Sequence, residues 1–98
     1  LTWSMDTWAA STGGRHEFNG RVTCRRWRLH LDAAATGTVT ATLQYVGGAT
    51  IATASVAAGG TDDVVIVPDV IDNGEAVEVV TTGSESFGGN VTLEYLAS

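Results

Sequence analysis

The sequence predicts an all-β fold, an antiparallel β-sandwich of about seven or eight short strands. Apolar residues recur with period two rather than 3.6, Val and Thr crowd the same segments, and glycine-rich clusters interrupt the chain at regular intervals. Residues 38–46 show the alternation most plainly. Val39, Ala41, Leu43 and Tyr45 point one way, and Thr38, Thr40, Thr42 and Gln44 the other, which describes a strand with one wet face. Gly47-Gly48, Gly59-Gly60, Asp72-Asn73-Gly74 and Gly88-Gly89-Asn90 supply residues that tolerate positive φ at turns. Strands are expected between them, at residues 2–8, 15–19, 21–32, 37–46, 49–57, 62–67, 75–82 and 90–96.

Along residues 21–32 the phase shifts. Val22 and Cys24 are even-numbered, whereas Trp27, Leu29 and Leu31 are odd-numbered. One extra residue near Arg25-Arg26 accounts for this, because a β-bulge moves the following inward set to the other parity. Arg26, Arg28 and His30 then face outward together as a basic row. Residues 1–20 hold Trp3, Trp8 and Phe18 ahead of the regular rhythm, and read either as a first strand or as an N-terminal arm packed on something else. Val91, Leu93 and Tyr95 alternate with Thr92 and Glu94, so a strand tied into a sheet follows the last glycine cluster.

Ninety-eight residues without a Pro-rich or polar linker imply one domain spanning residues 1–98. At that size folding hides roughly 60–65% of the chain's surface, enough for one modest core but not for a core and a deep catalytic cavity. The longest strongly apolar run, Val64 to Val67, ends at Pro68 and falls far short of the roughly 20 residues that span a bilayer, so no membrane insertion is expected. Residues 1–10 carry Asp6 and no basic residue, unlike a signal peptide. Cys24 is the one cysteine, excluding an internal disulfide; its place in a strand predicts a buried, inert thiol.

Net charge is −6, and its distribution says more than its sum. All five cations other than histidine (Arg15, Arg21, Arg25, Arg26, Arg28) fall within 14 residues, and nine of the eleven acids follow residue 30. So acidic a chain argues against nucleic acid as a partner, since phosphate backbones reward a broad basic face. The arginine cluster has two readings: pairing across an interface with carboxylates of another subunit, or pairing within the chain with Glu17, Asp32 and strand acids.

Catalytic patterns are missing. There is no Gly-x-Ser-x-Gly elbow, and His16 and His30, both among arginines, lack the partners of a general base. Asp62-Asp63 and the other acids near turns are accounted for as solvated side chains, so the chain is expected not to be an enzyme. One Cys and two His are too few for zinc. Asp69, Asp72 and Glu75 form a weak calcium candidate whose spacing does not match an EF-hand loop, and no cofactor is expected. Asn90-Val91-Thr92 fits the glycosylation sequon, a short pattern that recurs by chance.

The segment from Trp27 to Glu78 resembles jelly-roll and related sandwich modules of bacteriophage tail fibres, head fibres and capsid decoration proteins. The residues that carry this are the run Thr36 to Gln44, the Gly-Gly turn after it, Ala49 to Ala54, and the turn-plus-strand Asp72 to Val79, which is also similar to carbohydrate-binding modules. The resemblance implies a jelly-roll-like sandwich in a non-enzymatic virion part that is usually trimeric or otherwise symmetric. Its partners would be other virion or capsid subunits, its location the virion or otherwise the extracellular space, and receptor binding a further role. Protein-interface candidates are then Trp3, Trp8, Arg15, Arg21, Arg25, Arg26, Arg28 and His30. The alternative is a carbohydrate-binding or receptor-binding module in which Trp3, Trp8 or Tyr45 stack on a cell-surface glycan.

Overall fold

The computed structural model describes residues 1–97, and among these no helix forms. The strands are β1 Thr2–Met5, β2 Ser11–Glu17, β3 Val22–Leu31, β4 Val39–Tyr45, β5 Thr50–Val56, β6 Asp62–Ile66, β7 Val70–Ile71, β8 Ala76–Thr82 and β9 Gly89–Ala97. They make two antiparallel sheets. Sheet A runs β1-β9-β3-β6, with β7 beside β3 at its Val22 end, and sheet B runs β2-β8-β4-β5. With the two-residue β7 set aside, the chain passes between the sheets at nearly every connection, giving the interleaved order of a jelly roll.

Each sheet turns its apolar parity inward. Trp27, Leu29 and Leu31 from β3 and Leu93 from β9 meet Val39, Ala41 and Leu43 from β4 and Val77 from β8, all nearly inaccessible to water. The Trp27 indole crosses the gap, its Nε1 donating to the Ala41 carbonyl at 2.9 Å. A buried indole N–H without an acceptor would be costly, so this bond fixes the ring's orientation as well as the spacing of the sheets.

The expected bulge is present. Cys24 lies opposite Tyr95 and Arg26 opposite Glu94, which leaves Arg25 as the extra residue on β3. Val22 and Cys24 are buried before it, Trp27, Leu29 and Leu31 after it.

Two segments differ from expectation. The second strand covers residues 11–17 rather than 15–19, because Ser11–Glu17 sits at the edge of sheet B with only His16 less than exposed, so no apolar period marks it. Phe18 leaves the strand to plug the core at that end, 3% exposed. The first strand ends at Met5 instead of continuing to residue 8, and β7 is too short to show in any pattern. Residues 1–20 thus supply an edge strand to each sheet. Gly88-Gly89 also departs from its expected role. Neither takes positive φ; a Cβ on Gly88 would lie 2.0 Å from the Met5 carbonyl oxygen, so this pair allows backbones to approach.

Candidate interaction surfaces

Sheet A presents an outer face built from the solvent-facing residues of β9, β3 and β6. Register places Glu94, Arg26 and Ile66 in one row, Thr92, Arg28 and Val64 in the next, and Asn90, His30 and Asp62 in the third. The expected basic row exists, and it is answered from neighbouring strands. Arg26 Nη1 lies 3.3 Å from Glu94 Oε1, and Arg28 Nε donates to the other oxygen of the same carboxylate. The two guanidiniums, Arg28 foremost, hold the Glu94 carboxyl below its ordinary range. His30 Nδ1 is 2.7 Å from Asp62 Oδ1, and Nε2 is 3.8 Å from Asp32. Hydrogen bonds from Thr61 and then His30 lower the Asp62 carboxyl in the same way.

Arg25 differs. Exposed at the bulge, it has no carboxylate within ion-pair distance among the described residues, while Arg15 pairs with Glu17 at 4.0 Å and Arg21 with Asp72 at 3.6 Å. The same face carries exposed aliphatic side chains among its polar ones: Ile66 is 70% exposed, Leu96 55% and Val64 45%. Exposed aliphatic side chains together with an arginine on one sheet face are a composition that suits a contact surface.

The second feature is an apolar crevice of about 180 Å³ where the edges of the two sheets approach, between β1 and β2. Trp3, Met5, Trp8, Val79 and Val91 line it, and Ser4, Ser11 and Thr12 rim it. Trp3 is half-buried, edge-on to Trp27 with ring centroids 5.8 Å apart, and its Nε1 donates to the Gly14 carbonyl. A bulge between Gly13 and His16 makes room for it.

Trp8 is wholly buried, its Nε1 donating to the Thr82 carbonyl at 2.9 Å. It therefore leaves both the interface and the sugar-stacking sets: its ring has no face open to a partner. Tyr45 is half-buried, and loss of water around it, followed by the negative charges of Asp69 and Glu75, raises its hydroxyl pKa. Asp69, Asp72 and Glu75 do not converge; no set of three His, Cys, Asp or Glu able to hold a metal ion occurs among the described residues. Asp72 instead turns to Arg21. Cys24 is buried and unpaired, and desolvation, with Asp69 second, pushes its thiol up to about 11, keeping it protonated and inert at neutral pH.

Glu85 was not singled out by sequence. Buried among loops, its carboxylate accepts from the Thr36 amide at 2.8 Å and hydroxyl at 2.6 Å, tying the β8–β9 loop to the β3–β4 loop. This acid is structural. The exposed apolar side chains of β6 were also missed. Val64 and Ile66 sit in an unbroken apolar run, where the outward-facing members cannot be told from the inward-facing Val65.

No family model and no curated protein matches the sequence. Among solved structures, the chain is similar to infectious bursal disease virus Gx strain at 16% identity and a TM-score of 0.37, over 99% of this chain and 30% of that one. It is similar to an infectious bursal disease virus VP2 subviral particle at 15% identity and a TM-score of 0.35, over 99% and 30%. A Podospora anserina GH26-CBM35 β-(1,4)-mannanase is similar at 13% identity and a TM-score of 0.41, over 99% and 28%. The chain spans under a third of the length of each of these proteins.

Proposed function

We propose that this chain is a non-enzymatic structural component of a phage or phage-like particle, a capsid decoration, head-fibre or tail-fibre element that acts by protein–protein assembly. The observation that supports this best is the outer face of sheet A, where Ile66, Leu96 and Val64 are exposed on the same face as Arg25, an arginine with no carboxylate within ion-pair distance among the described residues. Such a face gains by being covered: burial removes Ile66, Leu96 and Val64 from water, and a carboxylate from another subunit satisfies Arg25. Chemistry is not similarly provided for. The β1–β2 crevice is lined mainly by apolar groups, and both histidines lie outside it.

Immunogold electron microscopy tests this reading directly. An antibody against the chain is expected to label purified particles at regular surface positions; label confined to the particle-free fraction overturns it.

A second reading draws on Trp3, which stands at the crevice with Ser4, Ser11 and Thr12 at its rim. A half-buried indole with hydroxyl neighbours suits a pyranose ring, so a receptor glycan is the alternative ligand. Glycan-array binding that vanishes in Trp3→Ala supports it, and an array with no hits removes it.

A further inference from the structure

We infer that Asn19 is a site of spontaneous covalent modification, a deamidation guarded by Asn73, and that its conversion loosens this end of the sandwich; the inference stands apart from the assembly reading above. The dipeptide Asn-Gly occurs twice, as Asn19-Gly20 and Asn73-Gly74. Both asparagines are exposed, and both glycines take positive φ, +122° and +85°. Glycine has no Cβ to shield its amide nitrogen, so that nitrogen can reach the side-chain carbonyl carbon of the asparagine before it.

The reaction needs only water. The Gly20 backbone nitrogen, its proton given up to solvent hydroxide, attacks Asn19 Cγ. A C–N bond forms to close a cyclic imide, the bond from Cγ to the side-chain nitrogen breaks, and ammonia leaves. Water then opens the imide at either carbonyl, giving aspartate or isoaspartate. Nothing is oxidised or reduced, and the sum is amide plus water to carboxylate plus ammonium. Each conversion adds one negative charge to the net −6.

The fold sets the two dipeptides against each other. Gly20 N donates to Asn73 Oδ1 at 2.8 Å, and Gly74 N donates to the Phe18 carbonyl at 2.8 Å. For Asn19 to react, Gly20 N must let go of Asn73, a single bond in an exposed place. For Asn73 to react, its side chain must leave Gly20 and Gly74 N must leave Phe18, which breaks two. One further hydrogen bond, worth a net of about 1 kcal/mol, corresponds to roughly fivefold in rate. Asn19 therefore goes first, and Asn73 is its guard. Isoaspartate at position 19 puts an extra methylene into the backbone between Gly20 and Phe18, which plugs the core. The Gly20 amide is then carried off Asn73, and the second side chain is freed to react.

The folded chain, held at mildly alkaline pH, is sampled over time, cut after arginine and mapped by mass spectrometry. Asn19 falls in the peptide 16–21 and Asn73 in the peptide 29–98, so the two are scored separately. Asn19 is expected to convert about fivefold faster than Asn73, and the two to convert alike in guanidinium. Asn73→Ala removes the acceptor and speeds Asn19 by about the same factor, whereas Asn73→Asp keeps an oxygen for Gly20 and does not. Asn19→Ala leaves Asn73 an amide for longer than in the wild type. Thermal melts by circular dichroism show that the fresh variants fold, and the aged wild type is expected to melt about 4–8 °C below the fresh one.

Equal rates at the two sites in the folded chain, a folded chain inert at both, or the same ordering in guanidinium overturns the inference. An Asn19 rate indifferent to Asn73→Ala overturns the guard, and an aged chain that melts with the fresh one overturns the loosening.

Discussion

The sandwich has two open flanks, and they are closed by different means. On the β1–β2 flank an indole lies over a glycine bulge, with its N–H on the Gly14 carbonyl, and an apolar crevice remains beneath it. On the β5–β6 flank the sheets approach closely, and the Asp63 carboxylate accepts a hydrogen bond from the Ser55 amide at 2.9 Å. One closure depends on shape and the other on charge. They should therefore fail under different perturbations, which makes the contrast testable.

Gly14→Val should have the largest effect. Gly14 has φ +69°, and a Cβ there would fall 2.5 Å from the Trp3 ring, so the change combines a left-handed backbone penalty with displacement of the indole. Chemical denaturation should show a loss of about 2–3 kcal/mol. Trp3→Ala follows at about 2 kcal/mol, less than a full core truncation because the ring is half-exposed. The double variant should lose less than the sum, since both changes remove the same contact. Additive losses would mean that Trp3 and Gly14 stabilise the flank separately.

Asp63→Ala on the opposite flank should cost about 0.5–1 kcal/mol, the ordinary worth of one hydrogen bond near solvent. The smallest effect distinguishes the flanks by pH. The Asp62 carboxyl on β6 is held below its ordinary range, so it favours the folded state above its unfolded pKa of about 4, and that contribution is lost as pH falls through the lowered value. Hydrogen exchange below about pH 4 should loosen β6 before β1, whose closure contains no carboxylate. Equal loosening of both would break the contrast.

Much of this architecture is legible in the sequence because a half-buried strand writes its orientation into every second residue. The bulge could be read for the same reason, as a change of parity between Cys24 and Trp27. Strand β2 could not, since an edge strand reading Ser-Thr-Gly-Gly-Arg-His-Glu buries almost nothing. Trp8 was misjudged because a lone aromatic in a loop has no periodic neighbours to show which way it turns. The arginine row was foreseen, yet not its internal partners. Glu94 lies 68 residues beyond Arg26, and only the pairing of β9 with β3 brings them together. That pairing also singles out Arg25, whose distinction lies in what its neighbours already hold.

Strand β9 has a kinetic consequence. It lies between β1 and β3, so the middle of sheet A is filled by the strand that is synthesised last of the three. Thr2 must wait for Thr92, and until then the inward sides of β1 and β3 stay wet. Closing so long a loop precedes most of the stabilising contacts, which makes folding slow for a chain of this size. The emerging chain thus carries Trp3 and Trp27 unshielded through most of its synthesis, and depends on dilution or on chaperones to reach its fold before it meets another unfinished copy.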